Sequence, residues 1–174
     1  MGKNIYLTGF MGTGKTTVGK ILASRLGWGF VDLDDLIEQD SSMKITEIFK
    51  EYGEQEFRRM EKQALKQSLS KDKFVIACGG GIVLDPENVD LINSQGIGIC
   101  LWADAEAVYE RVRQFTHRPL LNVNNPRQKI RELLDKRRPY YEKISCQVNT
   151  NAKSPQQVAE EIIALLKNRG ILDG

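Results

Sequence analysis

The segment Gly9–Thr16 places the strongest restriction on what this chain can fold into. It reads Gly-Phe-Met-Gly-Thr-Gly-Lys-Thr and fits the pattern GxxxxGK[ST] at every required position. The short apolar run Asn4–Thr8 precedes it, and from Lys15 onward apolar residues recur at the spacing of a helix. A strand, a glycine-rich loop and a helix are therefore predicted in that order.

This loop has the chemistry of a binding site for the phosphates of a nucleoside triphosphate. Glycines let backbone N–H groups turn inward around phosphate oxygens, and the positive end of the following helix faces the same anion. Lys15 is expected to reach the β- and γ-phosphates, and the Thr16 hydroxyl to be a ligand of Mg²⁺. The predicted nucleotide-binding residues of the loop are Gly12, Thr13, Gly14, Lys15, Thr16 and Thr17.

Short apolar runs alternate with helical patterns along the chain. Strands are predicted at Asn4–Thr8, Trp28–Leu33, Lys73–Cys78, Ile97–Trp102 and Cys146–Asn149. A short helix is predicted after Pro86, and longer ones at Lys15–Leu26, Ile45–Tyr52, Glu54–Leu69, Ala105–Val112, Gln128–Lys143 and Pro155–Asn168. Continuously apolar strands separated by helices are typical of a parallel sheet covered on both faces. We therefore predict a single α/β domain over residues 1–174, with three layers and a five-stranded parallel sheet.

Composition argues against several other classes of protein. The formal net charge is +2 over 174 residues, so it gives no support for a nucleic-acid partner. No apolar run reaches the roughly 20 residues that a membrane-spanning helix needs. Cys78, Cys100 and Cys146 lack the spacing of a zinc site or a disulfide framework and are expected to be buried in strands. Because the N-terminus has no signal-peptide pattern, a cytoplasmic location is expected.

The phosphate loop alone does not distinguish GTPases, motor ATPases and small-molecule kinases. The Asn-Lys-x-Asp motif with which a GTPase usually reads guanine is absent from the sequence. The predicted strand Lys73–Cys78 ends in Gly79–Gly81, where a motor ATPase usually has an acidic residue. A small-molecule kinase remains, and such an enzyme needs a second pocket beside the γ-phosphate.

Two aspartates at the end of the second predicted strand are candidates for that pocket. Asp32 and Asp34 are two residues apart, so in an extended segment both carboxylates point the same way. One can hold a Mg²⁺-bound water while the other takes the proton of a substrate hydroxyl. Helix N-cap carboxylates at the start of a polar loop give the same pattern, and the spacing leaves both interpretations open.

Three further features are ambiguous from spacing alone. Arg58 and Glu61 share one face of a helix, which by itself is more typical of a solvated surface pair. Gly79–Gly81 suits a backbone that approaches a ligand closely, and equally a tight turn. Arg118 lies in a polar stretch that can act as a lid over the transferring phosphate or can be an ordinary basic loop. No role is assigned to His117, the one histidine of the chain.

Taken together, six motifs in order resemble the shikimate kinase family along nearly the whole chain. They are the phosphate loop GFMGTGKTTVGK, the acidic strand end FVDLDDLIE, the helix motif GEQEFRRMEKQAL, the glycine motif ACGGGIVL, the lid motif RPLL and the element Arg137-Arg-Pro-Tyr-Tyr141. Each of the last five is weak alone, but their spacing leaves no large gap or insertion. The resemblance implies a P-loop kinase fold with a substrate-binding helical region over residues 33–61 and a lid over residues 112–124.

The resemblance implies ATP-dependent phosphorylation of the 3-hydroxyl of shikimate, a step towards chorismate and the aromatic amino acids. Lys15, Asp34 and Arg118 would be the catalytic residues, with Asp34 holding ring hydroxyls and Arg118 reaching the ATP phosphates from the lid. Asp32 matches the acid that holds Mg²⁺ through water, alongside Thr16 as a direct ligand.

Shikimate carries one carboxylate and three hydroxyls, and an arginine can bind a carboxylate through two parallel hydrogen bonds. The resemblance assigns this role to Arg58 and Arg137, with Glu61 orienting Arg58 and the Gly80 backbone supporting ring hydroxyls. Arg137 is chosen over Arg138 because it alone gives the R-x-P-x-Y spacing. For Arg58 the resemblance reverses the expectation from a surface residue to a ligand.

The resemblance also assigns nucleotide contacts beyond the phosphate loop. They fall on Arg111, before the lid, and on Lys153, in the loop Asn151–Pro155. We expect shikimate and ATP as the binding partners, and a monomer. The alternatives are a related gluconate or nucleoside monophosphate kinase, although a monophosphate acceptor would need more lid and pocket arginines. A non-catalytic nucleotide-binding module is a further alternative, but such a module need not keep all of Lys15, Thr16, Asp34 and Arg118.

Overall fold

The structure is a computed structural model that describes residues 4–113 and 123–172. Five strands form one sheet in the order β2-β3-β1-β4-β5, and every neighbouring pair is parallel. The strands are β1 (Ile5–Thr8), β2 (Gly29–Asp32), β3 (Phe74–Ala77), β4 (Ile97–Trp102) and β5 (Cys146–Asn149). The predicted α/β class with a five-stranded parallel sheet is confirmed.

Seven helices lie within the described ranges. They are α1 (Lys15–Leu26), α2 (Leu33–Ser41), α3 (Ile45–Ser68), α4 (Pro86–Gln95), α5 (Ala105–Val112), α6 (Pro126–Tyr141) and α7 (Pro155–Asn168), with a short 3-10 turn at Ile82–Leu84. The two helices predicted on either side of Gly53 form one element, which Gly53 interrupts with φ 79° and ψ 177°. The 3-10 turn was not predicted.

The sheet separates two apolar clusters. Ile5 and Leu7 of β1 pack with residues of α1 and α7, such as Leu22 and Ile162. Tyr6, between them in sequence, belongs to the cluster that α2, α3, α4, α5 and α6 form on the other face. Successive side chains of a strand point to opposite faces, so both faces of these strands must be apolar. The predicted three-layer arrangement is confirmed.

The parallel strands bring three segments to one edge of the sheet. β1 ends at Thr8, directly before the glycine-rich loop, and β2 ends at Asp32. β3 lies between these two strands and is followed by Cys78 and Gly79–Gly81. Because all carboxyl ends of parallel strands lie on the same side, the loop, the acidic pair and the glycines meet there.

Two smaller expectations can be compared directly with the structure. Cys78, Cys100 and Cys146 are buried and unpaired, as predicted, with Cys100 and Cys146 in strands and Cys78 directly after β3. Across residues 4–113 and 123–172, no helix has both the length and the apolar character needed to cross a membrane.

Candidate active site

The glycine-rich loop joins the central strand β1 to α1. The Lys15 ammonium donates hydrogen bonds to the carbonyls of Gly9 at 2.9 Å and Phe10 at 3.0 Å, so its side chain folds over the loop. Gly14 is the N-cap of α1, and the first turn of this helix contains no acidic side chain. The positive end of the helix is therefore open to an anion in the loop.

The two aspartates are placed by α2 rather than by an extended segment. Asp32 ends β2 and caps α2, because its Oδ1 accepts a hydrogen bond from the Asp34 amide at 3.0 Å. Asp34 lies in the first turn of the helix, so the predicted reason for their common direction was wrong. Asp32 Oδ2 accepts a hydrogen bond from the Thr16 hydroxyl at 2.7 Å. This bond joins the acidic strand end to the phosphate loop.

One cavity of about 300 Å³ brings the predicted loop and strand-end residues together. Its lining consists of Met11, Gly12, Gly14, Lys15, Thr16, Thr17, Asp32, Asp34, Cys78, Gly79 and Gly80. A lysine and two aspartates thus share a space at the positive end of a helix. Such a space can hold a phosphate next to a hydroxyl that needs an acceptor for its proton.

Arg58 and Glu61 form a buried ion pair on α3. The Arg58 guanidinium donates to Glu61 Oε2 at 2.8 Å and to Glu54 Oε1 at 3.2 Å. The Glu61 side chain is only 1% exposed and that of Arg58 is 28% exposed. The interpretation as a solvated surface pair, which the spacing alone favoured, was therefore wrong.

Burial and ion pairing act against each other in this pair. Burial raises the pKa of Glu61 above its ordinary value, and the Arg58 charge only partly opposes that rise. For Arg58, burial lowers the pKa, but Glu61 and Glu54 outweigh it, so its pKa lies above the ordinary value. Arg58 Nε and Glu61 Oε1 are buried and have no hydrogen-bond partner among the described residues. These two atoms of the pair are therefore available for a further hydrogen bond.

The glycines after β3 pack directly against this ion pair. A Cβ atom on Gly79 would lie 2.3 Å from Glu61 Oε1, and one on Gly81 would lie 2.2 Å from Arg58 Nη1. A side chain at either position would therefore displace the Glu61 carboxylate or the Arg58 guanidinium. The triple glycine predicted that this backbone approaches a ligand closely. In part, the backbone instead lies close to the protein's own charged side chains, Glu61 and Arg58.

Helix α6 brings Arg137 to the same group of charges. Its guanidinium lies 5.8 Å from the centre of the Phe10 ring. Its charge lowers the pKa of both Glu61 and Tyr141, in opposition to burial, which raises them. Arg138 instead lines a separate cavity of about 360 Å³. The structure therefore places Arg137, and not its neighbour, beside the acidic group.

A second cavity, of about 330 Å³, adjoins the other side of the phosphate loop. Its lining includes Gly12, Thr13, Gly14, Thr17, Val18, Arg111, Val112, Thr150, Lys153, Pro155 and Val158. Arg111 donates hydrogen bonds to the Gly12 carbonyl at 3.2 Å and to the Thr150 carbonyl at 2.7 Å. Arg111 and Lys153 thus border the same space, and their predicted contacts with the nucleotide stay a prediction.

Arg118 lies outside the described residues, as do residues 114–122 of the predicted lid over 112–124. Its predicted contact with ATP phosphates stays a prediction. Among the described residues, no group of three or more His, Cys, Asp or Glu side chains could hold a metal ion.

Comparison with known proteins identifies the family. The family model described as shikimate kinase matches residues 11–167. The chain belongs to the shikimate kinase family. A shikimate kinase of Thermodesulfovibrio yellowstonii is 48% identical over 161 residues, which cover 92% of this chain and 93% of that protein. The family that the six motifs predicted is confirmed.

Solved structures agree with the family assignment. The shikimate kinase of Acinetobacter baumannii in complex with shikimate superposes with a TM-score of 0.91 at 38% identity, covering 97% of this chain and 95% of that one. A gluconokinase of Sinorhizobium meliloti has a TM-score of 0.58 at 14% identity, covering 96% of this chain and 93% of that one. The second similarity shows a shared fold alone.

Two contacts near the site were not predicted from the sequence. The Tyr141 hydroxyl donates a hydrogen bond to the Gly80 carbonyl at 2.5 Å. Arg111 is held by both the hydroxyl and the carbonyl of Thr150, which follows β5. Tyr141 belongs to the R-x-P-x-Y element, but the spacing of that element does not indicate which group the Tyr141 hydroxyl contacts.

The raised pKa of Glu61 leads to a prediction about stability and pH. As pH rises above about 4.5, the unfolded chain releases this proton before the folded chain does. The stability contributed by Glu61 is therefore complete below that pH and is lost as pH rises through the folded-state pKa. The free energy of unfolding of Glu61→Gln, minus that of the wild type, should therefore increase between about pH 4.5 and 7.5. The increase should be about 1.4 kcal/mol for each pKa unit by which folding raises the pKa of Glu61.

Urea unfolding at a series of pH values measures this difference. Glu56→Gln is the matched control, because the hydrogen bond from Arg59 lowers the pKa of that exposed carboxylate. Its difference from the wild type should be flat above about pH 5.5, where this carboxylate is ionised in both the folded and the unfolded chain. A difference that is equally flat for Glu61→Gln would contradict the prediction.

Proposed function

We propose that the chain transfers the γ-phosphoryl group of ATP to the 3-hydroxyl of shikimate. The observation that carries this proposal is the cavity in which Lys15 and Asp34 meet Gly80, with the Arg58–Glu61 pair packed against the adjoining glycines. The similarity to shikimate kinases, and the shikimate in the Acinetobacter baumannii structure, support the same substrate.

The nucleotide half of the site follows from the loop and the second cavity. The loop amides and Lys15 bind the phosphates of ATP, and the cavity bordered by Arg111 and Lys153 takes the nucleoside. On binding, Lys15 would exchange its hydrogen bonds to the loop carbonyls for phosphate oxygens. Arg118, on the predicted lid, supplies a second cation to the transferring group.

The hydrogen-bonded pair of Thr16 and Asp32 fits Mg²⁺. This ion prefers oxygen ligands and usually keeps several waters, so it needs only one or two protein groups besides the substrate phosphates. Thr16 would hold it directly and Asp32 through water, at the junction of loop and strand where their 2.7 Å bond lies. When bound, Mg²⁺ neutralises charge on the phosphates.

The acceptor half uses the acid and the two arginines. Asp34 accepts the proton of the attacking 3-hydroxyl and holds the ring hydroxyls beside the Gly80 backbone. Arg58 gives one hydrogen bond each to Glu61 and Glu54, and a guanidinium has further N–H donors for a substrate carboxylate. Arg137 completes the carboxylate site from α6. The ion pair with Glu61 keeps Arg58 in place before substrate arrives.

The residues of the site also argue against the two alternatives, a nucleoside monophosphate kinase and a module that only binds nucleotide. A nucleoside monophosphate acceptor needs additional arginines for its phosphate, beyond Arg58 and Arg137, which this proposal assigns to a carboxylate. A module that only binds nucleotide has no need for a buried Arg58–Glu61 pair. A cytoplasmic location and a monomeric state stay part of this proposal.

A coupled assay of ADP release tests the substrate. Shikimate should raise turnover well above the rate with ATP alone, whereas gluconate, AMP and CMP should not. AMP and CMP have no carboxylate, and the hydroxyls of gluconate lie on an open chain instead of a ring. Equal rates with and without shikimate would rule the proposed function out.

Asp34→Asn tests the role of the aspartate. Loss of the proton acceptor should lower kcat by about 10² to 10⁴-fold, while ATP affinity stays nearly unchanged because Asp34 does not touch the phosphates. Asp35→Asn is the matched control, since Asp35 is the adjacent acid in the same helical turn and is exposed. It should keep wild-type kcat. Full activity in Asp34→Asn would remove Asp34 from the mechanism.

A further inference from the structure

One buried hydrogen bond beside the site has no part in the chemistry described so far. Tyr141 is the last residue of α6, and its side chain is buried. Its hydroxyl donates to the carbonyl of Gly80 at 2.5 Å, across 61 residues of sequence. The bond joins α6 directly to the glycine segment that lines the acceptor half.

The three glycine carbonyls are held in different ways. Gly79 and Gly81 accept from the amides of Ile82 and Leu84, at 3.2 Å and 3.0 Å, within the short turn that follows them. The carbonyl between them, that of Gly80, is held by Tyr141 from a different element. The position of the Gly80 peptide therefore depends on α6 and not only on the local turn.

Gly80 lies where a small displacement matters. A Cβ atom built on it would be 3.5 Å from the Gly9 carbonyl oxygen, 3.7 Å from the Met11 amide and 3.8 Å from the Tyr141 hydroxyl. Gly80 is thus packed between the phosphate loop and α6, and it lines the cavity that contains Lys15. A shift of its peptide would change the distance between an acceptor held there and the γ-phosphate.

The same helix supplies two groups to the acceptor half. Arg137 and Tyr141 are four residues apart, so they lie on one face of α6. Burial raises the pKa of the Tyr141 hydroxyl, and the nearby Arg137 charge only partly opposes this. The hydroxyl therefore keeps its proton at neutral pH and remains a donor to Gly80.

We propose that Tyr141 is a positioning residue that fixes the Gly80 peptide in the acceptor half of the site. This inference rests on the proposed function, because the acceptor is taken to be shikimate. Tyr141 acts through Gly80 and does not touch the reacting atoms. Through Arg137 and Tyr141, the last turn of α6 sets both the carboxylate site and the backbone that faces the ring hydroxyls.

Tyr141→Phe tests the proposal because it keeps the ring and removes the hydroxyl, which donates to Gly80 and is also in hydrogen-bonding contact with Arg137. Leaving the Gly80 carbonyl without its partner should raise the KM for shikimate about tenfold, by the usual cost of an unsatisfied buried group. The KM for ATP should change less than about twofold, because the phosphate loop keeps its own contacts. The dissociation constant of shikimate, measured by calorimetry with ADP present, should rise with its KM.

Tyr6→Phe is the matched control for the loss of a buried hydroxyl. Tyr6 lies in β1 and its hydroxyl accepts a hydrogen bond from Ser68, at the end of α3. That variant should lower the free energy of unfolding and leave the KM for shikimate unchanged. An equal rise in both variants would mean that general destabilisation, and not the Gly80 contact, affects the site.

The outcomes separate this inference from the proposed function. If the wild-type chain does not phosphorylate shikimate, the proposed function fails. If the wild type is active and Tyr141→Phe has the same KM for shikimate, only the role of Tyr141 is overturned. A Tyr141→Phe protein that loses ATP binding to the same extent would also overturn it, because the bond would then support the fold as a whole.

Discussion

The buried ion pair between Arg58 and Glu61 is the interaction on which the acceptor half of this site depends. Removing a carboxylate from water costs several kcal/mol, and a single ion pair often does not offset that cost. The raised pKa of Glu61 shows that burial outweighs the pairing here. Arg58 Nε and Glu61 Oε1 are buried without hydrogen-bond partners among the described residues, which suits an arginine held ready for an anionic group.

The rest of the site is arranged around that pair by the parallel sheet. The glycines after β3 approach Glu61 and Arg58 so closely that a side chain at Gly79 or Gly81 would displace one of these charged groups. The neighbouring strands β1 and β2 end beside them with the phosphate loop and Asp32, joined by the Thr16 hydrogen bond. Helix α6 closes the group with Arg137 and with the Tyr141 hydroxyl on Gly80. Two half-sites, one for phosphate and one for an acceptor, therefore share a single edge of the sheet.

The elements that the sequence predicted well are those encoded by local patterns. All five strands were found within a residue or two, since buried parallel strands are short apolar runs bounded by polar or glycine residues. Lys15 and Thr16 could be located because the GxxxxGK[ST] motif fixes where the lysine and the hydroxyl residue stand in the phosphate loop. Arg138 lines a separate cavity and the Arg137 guanidinium lies near the Phe10 ring, while the choice of Arg137 as a substrate ligand stays a prediction.

The features that local patterns missed depend on segments far apart in the chain. An arginine and a glutamate at i and i+3 look alike on an exposed and on a buried helix face, so spacing alone misplaced Arg58 and Glu61. What buries them is the glycine backbone after β3, which the helix pattern does not contain. For Asp32 and Asp34 the spacing left an extended segment and helix N-cap carboxylates both open, and Asp32 caps the helix that begins at the next residue. Tyr141 meets Gly80 only through the packing of α6.

The most direct measurement is a crystal structure of the chain with shikimate and ADP bound. We expect the shikimate carboxylate to receive hydrogen bonds from Arg58 and Arg137, with Arg58 still paired to Glu61. We also expect the 3-hydroxyl to lie within hydrogen-bonding distance of Asp34 and on the side of the cavity that contains Lys15. A shikimate carboxylate bound away from both arginines, or a 3-hydroxyl directed away from Asp34, would contradict it.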